Sequence, residues 1–254
     1  MALLSIEKVS KRFGGLDALK EVSFPVHQGQ IKAVIGPNGA GKTTLFNLVS
    51  GSYRPSEGQI LLSGTDLVGK APHAVCRMGV GRTFQQSLVF DDMSLVENVA
   101  VGRYPRTGAG VVSAALTLPR HRREERETVK AAHEALRRVG LDSKADELAG
   151  NLPMGERHLL EIARSLASEP ILLLLDEPAA GLNEDETARL GESVRRIRAE
   201  GVTVLLVEHD MTFVMDISDE VVVLDYGRKI AEGPPIMIQD NEEVIKAYLG
   251  EDLD

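Results

Sequence analysis

A chain of 254 residues is long enough for one large domain or a domain carrying an inserted one, and 43% hydrophobic against 26% charged residues is the balance of a globular protein with an ample core. A formal net charge of −9 argues against a general nucleic-acid or anionic-lipid surface, so no nucleic acid is expected among the partners. Cys76 is the single cysteine, which excludes an internal disulfide and points to a reducing cytoplasm, and the longest apolar run, residues 171–175, is far short of the ~18 residues of a membrane span. No secretory leader is expected either, because Glu7 and Lys8 interrupt the N-terminal apolar residues.

In chain order, residues 3–13 alternate loosely between apolar and polar, residues 18–26 do so again, and Gln28-Gly29-Gln30 turns the chain towards residues 31–35. The first two segments predict an antiparallel flank, the third a short buried strand. Gly36-Pro37-Asn38-Gly39-Ala40-Gly41-Lys42-Thr43 then fits the phosphate-binding pattern G-x-x-x-x-G-K-[ST] at every fixed position, with Thr44 following and a helix over 43–50 stopped by Gly51. Strand, loop and helix come in the order the pattern needs, which makes this a nucleotide site. Further strands are expected over 58–62 and 79–84, the latter delivering Gln85 and Gln86 to a loop. Leu88, Val89, Phe90 and Met93 form an apolar group that needs cover. Ser94-Leu95-Val96-Glu97 has the capping-box form and predicts a helix towards Arg103. Residues 104–119 read as a loop with a weak helix. Residues 120–138 read as a charged helix ended by Gly140, and a solvated face is its plainer reading than a binding patch.

Leu159, Ile162, Ala163 and Leu166 recur at helical spacing in a helix expected from Gly155 and ending before Pro170. Residues 171–175 are continuously apolar, as a strand covered on both faces requires, and stop at Asp176-Glu177-Pro178. Asn183 caps the next helix, with Glu184, Asp185 and Glu186 in its first turn and Arg195, Arg196 and Arg198 near its end, in keeping with the helix dipole. Residues 202–207 and 221–224 are two more buried strands, separated by Glu208-His209-Asp210 and a short helix. Tyr226-Gly227-Arg228 marks a hairpin and residues 242–249 a terminal helix. Strands alternating with helices predict an α/β fold on a mostly parallel sheet, with ligands at its carboxyl edge. Residues 1–86 and 170–254 form this core, and 87–169 a helical insertion.

The chemistry follows from residue type and place. Gly36, Gly39 and Gly41 let successive N–H groups face one anion, and the helix start adds about half a positive charge to the same point. Lys42 reaches the β- and γ-phosphates, and Thr43 offers a hydroxyl to Mg²⁺. At the end of a buried strand, Asp176 is assigned to the metal and Glu177 to an attacking water, because successive side chains of a strand point to opposite faces. Without a phosphate loop, two solvated acids would be the plain reading of that pair. His209 reaches the same sheet edge, and on local sequence it is either a structural histidine or a donor to the γ-phosphate. Gln85 reads as a solvent-facing amide or as the holder of a metal-bound water, and Phe13 as a core residue or as a ring on which a base stacks.

Together, the loop 36–43, Gln85, Leu152-Pro153-Met154-Gly155-Glu156, Asp176-Glu177, Ala180-Gly181-Leu182-Asn183 and His209 resemble the ATP-binding subunit of ABC transporters, over essentially the whole chain. Within that superfamily, Arg82-Thr83-Phe84-Gln85, residues 176–183, Glu208-His209-Asp210 and Ala247-Tyr248-Leu249-Gly250 are similar to the branched-chain amino-acid importer ATPases. The resemblance implies a P-loop NTPase core that takes ATP with Mg²⁺, with adenine stacked on Phe13, a Mg²⁺ role for Gln85 and a γ-phosphate contact from His209. It also implies two ATPase subunits head to tail, each ATP held between one phosphate loop and the other subunit's signature segment. Two transmembrane permease subunits and an external substrate-binding protein complete the implied complex, with this chain cytoplasmic and peripheral. The insertion, with its apolar Leu88, Val89, Phe90 and Met93, is the expected permease dock.

The signature departs from the family's L-S-G-G-Q, since only Leu152 and Gly155 match. Pro153 has neither the serine hydroxyl nor an N–H, and Met154 is bulky where glycine belongs. The helix start at Gly155 keeps its N–H groups and dipole for an anion, while Glu156 brings a negative charge. The ATPase of a lipid or lipopolysaccharide exporter, or a switch that binds ATP without hydrolysing it, would share the motifs on this chain's own side of the site.

Overall fold

The N-terminal alternation folds as expected: β1 (Ala2–Phe13) and β2 (Leu16–His27) pair antiparallel, and the chain turns at Gly29 into β3 (Ile31–Ile35). The computed structural model describes residues 2–83, 89–106 and 119–249; the expectations for Phe84, Gln85, Gln86 and Leu88 lie outside these. β4 (Glu57–Leu62) returns to β1, and β5 (Thr65–Asp66), too short to show a pattern in the sequence, completes a flank in the order β2-β1-β4-β5.

The second sheet adds β6 (Val80–Arg82), β7 (Leu172–Asp176), β8 (Thr203–Val207), β9 (Glu220–Asp225) and β10 (Arg228–Gly233), in the order β10-β9-β3-β8-β7-β6. Its neighbours run parallel except in the β9–β10 hairpin. Alternate side chains divide between two cores. Ala33, Leu173, Leu175, Val204 and Val221 join the helices on one face, whereas Val34, Leu172, Leu174, Leu205 and Val222 join the flank on the other. Burial on both faces is why residues 172–175 read as an unbroken apolar run.

Between the sheets lies the helix Lys42–Val49, whose Leu45, Phe46 and Val49 share the flank-side core with Leu4, Ile6 and Ile60. Lys32 is also fully buried on this side, and its ammonium donates to the Pro25 carbonyl at 2.7 Å, to Glu220 at 2.9 Å and to Glu232 at 2.5 Å. A buried cation needs such partners.

On the other face, the helix Leu95–Val101 starts with the expected Ser94 and Glu97 capping box, and Pro119–Val139 ends at Gly140, in the left-handed conformation at φ 80°. Leu95, Val99 and Leu136 belong to one continuous cluster with sheet residues such as Ile31 and Leu173. The helix Met154–Leu166 begins one residue earlier than Gly155, because Pro153 takes the cap position with φ −63°. Glu184–Ala199 carries the predicted capping box of Asn183 and Glu186. Two short helices, Pro72–Arg77 and Pro235–Gln239, were not anticipated; each opens on a proline, where a missing N–H costs nothing. No described helix is long and apolar enough to cross a membrane.

Candidate functional site

The phosphate loop leaves the carboxyl end of β3, which β8 and β9 flank on either side. Gly36 has φ 147°, and a Cβ there would stand 2.0 Å from the carbonyl oxygen of Leu224, so only glycine fits. The Lys42 ammonium folds over the loop, donating to the carbonyls of Gly36 at 2.6 Å and Pro37 at 3.0 Å. Burial pushes its pKa below the usual lysine range, and the negative charge of Glu177 opposes that. A cavity of about 660 Å³ opens on this loop, walled by Phe13, Lys20, residues 38–44, Glu177 and Tyr226.

Glu177 lies on the wall of this cavity and Asp176 does not, although both line a smaller cavity beside it with Thr83, His158 and Glu161. Asp176 is the last residue of β7 and is buried. Glu177 adopts the left-handed conformation at φ 50°, unusual for a non-glycine residue, and turns onto the cavity wall while its N–H donates to Val207 O at 2.9 Å. Asp176 Oδ2 accepts from Arg82 at 3.0 Å, and Oδ1, also buried, has no hydrogen-bond partner among the described residues. Burial raises the Asp176 pKa, against the pull of Arg82 and with a small push from Glu177. The same guanidinium reaches Asn47 Oδ1 and Ser50 Oγ, both at 2.8 Å, so it ties Asp176 to the helix that begins with Lys42 and Thr43.

His209 follows β8, its side chain 63% exposed. The turn beneath it is built on Glu208, fully buried, whose carboxylate accepts from the N–H groups of Ala179, His209 and Asp210.

Phe13 is 41% exposed on the cavity wall rather than in the core. It meets the ring of Tyr53 edge-on at 5.4 Å, with the Lys11 ammonium 4.8 Å from its own ring centre. Opposite, the hairpin turn holds Tyr226 and Gly227 at φ 42° and 78°. Gly227 donates to Ala40 O at 3.1 Å and accepts from the Lys20 N–H at 2.7 Å, joining the loop, the hairpin and β2.

Asp176, His209 and Gly155 are not among the described residues of the cavity wall. Gly155 sits in the first turn of Met154–Leu166, packed so closely on Glu186 that a Cβ would come within 2.9 Å of its oxygen. Met154 is exposed. The charge of Glu156 is not free: both its oxygens accept from Lys144, at 2.7 and 2.6 Å. Of the apolar group expected at the permease dock, Val89 packs on the core and Phe90 is exposed.

Sequence reading missed Arg82, Glu208, Tyr226 and Lys144 as parts of this region. A charged residue directly at the end of an apolar strand was the available signal for the first two; Lys144 had none, since its partner is brought near only by the fold.

Residues 19–180 match the family model described as ABC transporter, and residues 228–254 the one described as branched-chain amino acid ATP-binding cassette transporter. Over 250 residues the chain is 44% identical to the high-affinity branched-chain amino acid transport ATP-binding protein BraF of Pseudomonas aeruginosa, and likewise to LivG of Escherichia coli K12, covering 98% of each chain. A nucleotide-free ATP-binding cassette from an ABC transporter superposes with a TM-score of 0.87 at 31% identity, over 99% of this chain and 100% of that one. An ATP-binding cassette in its ADP conformation gives the same values.

Proposed function

Because this chain belongs to the ABC transporter ATP-binding family, we propose that it hydrolyses ATP as the cytoplasmic, membrane-peripheral subunit powering uptake of branched-chain or related amino acids. The observation that carries this reading is the single cavity bringing Phe13, the phosphate loop, Lys42, Thr43 and Glu177 together. The similarity to branched-chain amino acid transport ATP-binding proteins supports amino-acid transport over lipid export.

In this reading adenine lies on Phe13, and the N–H groups of residues 36–44 with Lys42 hold the β- and γ-phosphates. The unpartnered, buried Oδ1 of Asp176 fits a cation, and with the Thr43 hydroxyl and the Gln85 amide it makes an oxygen donor set of the kind Mg²⁺ takes. When bound, Mg²⁺ supplies positive charge to the phosphate oxygens. Glu177 takes the proton of a water whose oxygen bonds to the γ-phosphorus as the bond to the ADP oxygen breaks. His209 donates to a γ-phosphate oxygen.

A second ATPase subunit, identical or paralogous, completes each site, with the helix start at Gly155 serving the ATP of the other subunit. Binding closes the pair and hydrolysis releases it. Residues 87–169, with Phe90 exposed, dock one of two permease subunits, which an external substrate-binding protein supplies with solute. The test is ATP turnover by the purified chain, and leucine uptake by vesicles holding the complex, each compared with Glu177→Gln. No turnover in either setting refutes the enzyme, and turnover without amino-acid uptake refutes the importer.

A further inference from the structure

Glu208 directly follows β8 with its side chain wholly removed from solvent, yet none of the roles above uses it. Its two oxygens serve different turns. Oε1 accepts from the Ala179 N–H at 2.7 Å, whereas Oε2 accepts from His209 at 2.9 Å and Asp210 at 3.3 Å. Ala179 lies two residues beyond Glu177, whose own N–H donates to Val207 O, so two bonds fasten the turn after β7 to the end of β8. The far side of that turn is fastened as well: His158, on the helix Met154–Leu166, has Nδ1 2.7 Å from the carbonyl oxygen of Pro178. A carbonyl only accepts, so Nδ1 carries the hydrogen. Three N–H donors compensate a carboxylate that burial would otherwise penalise.

We propose that Glu208 is a positioning residue that makes the His209 turn and the Glu177–Ala179 turn move as one body, so that an anion met by His209 sets the angle of Glu177. The inference rests on the ATPase reading. A carboxylate is the group that does this, since it offers an acceptor to each side. An amide of the same shape has one acceptor oxygen, and its NH₂ would face an N–H on the other side. Aspartate keeps the charge but is one methylene too short to span both turns.

The experiment is amide hydrogen exchange on the full chain, with and without a non-hydrolysable ATP analogue and Mg²⁺, for wild type, Glu208→Gln and Glu208→Asp, alongside steady-state turnover. In wild type, residues 177–183 and 208–211 gain protection together. In both variants the gain at 177–183 is lost while residues 36–43 keep theirs, kcat falls roughly 10- to 100-fold and KM stays within about threefold, as misplacement of a catalytic group predicts. A joint response in Glu208→Gln with turnover within about twofold of wild type overturns the proposal. So does loss of protection across the whole sheet, which is the mark of a merely structural role. If the analogue fails to protect residues 36–43 in wild type, the nucleotide reading falls too; protection there without joined turns sinks the role of Glu208 alone.

Discussion

Arg82 grips one oxygen of Asp176 and leaves the other bare: its guanidinium donates to Oδ2 at 3.0 Å, and Oδ1 is buried with no partner among the described residues. A bidentate grip would have used both oxygens. The fork is instead divided between Asp176 and the helix Lys42–Val49, which fixes the carboxylate relative to the phosphate loop. Arg82→Lys keeps the charge without the fork, and it is expected to weaken Mg²⁺ in the nucleotide complex by roughly 10- to 100-fold, the usual cost of losing a group that orients a metal ligand. Titrating Mg²⁺ against a fluorescent ATP analogue measures this; an unchanged requirement would show that Arg82 merely neutralises Asp176.

Lys42→Ala is expected to abolish nucleotide binding. The substitution removes a cation held over the loop, and each charged hydrogen bond lost is worth about 1.5 to 3 kcal/mol, roughly ten- to hundredfold in affinity. Equilibrium binding of the same analogue decides it, and wild-type affinity would undo the site assignment.

Glu177→Gln should bind ATP normally and turn over roughly 100-fold or more slowly, the scale of a lost general base. Glutamine has the same shape as glutamate and no greater objection to the left-handed backbone at this position, so the amide is expected in the same place on the cavity wall. Single-turnover hydrolysis is the measurement. A drop below about tenfold would move the base elsewhere.

The negative charge expected to disturb the signature is already balanced, because Lys144 holds both oxygens of Glu156. Lys144→Met should therefore unmask it and lower turnover of the assembled complex, with Glu156→Gln in the same background restoring it. ATP turnover by the single and double variants tests this. If Lys144→Met is silent, the departure rests on Pro153 and Met154, and Pro153→Ser with Met154→Gly is the change that should raise activity.

Stability carries its own pH signature. The hydrogen bond from Lys32 holds the Glu220 carboxyl below its ordinary value of 4.5, with burial opposing. A depressed acid contributes stability that is complete above the unfolded value and fades as pH falls through the folded one. Glu220→Gln should lower Tm by at most about 2–4 °C near pH 7, given a carboxylate about a third exposed, and the gap should close as pH falls below 4.5 and through the lowered folded-state value. A gap that widens in acid would contradict the pairing with Lys32.

The sheet was legible because burial on both faces leaves runs such as residues 172–175 no room for a polar side chain, and the phosphate loop because its glycines and Lys42 have fixed spacing. The capping boxes at Ser94 and Asn183 were readable for a similar reason, since both partners lie within four residues. What escaped were pairings made across the fold. Lys144 meets Glu156, Arg82 meets Asp176 across 94 positions, and Glu208 meets Ala179; spacing holds no trace of such meetings. Alternation alone predicts opposite directions for Asp176 and Glu177, whereas the chain places a left-handed residue at Glu177, just past the strand end, which local sequence does not announce.

The backbone of Gly227 has a wider consequence. Through its N–H it holds the phosphate loop at Ala40, and through its carbonyl it holds the flank at Lys20. The two sheets thus share a stitch placed at the nucleotide loop itself, in addition to the core between them. Flank and main sheet are accordingly expected to melt together rather than one after the other, and a ligand bound at residues 36–43 is expected to raise the melting temperature of both.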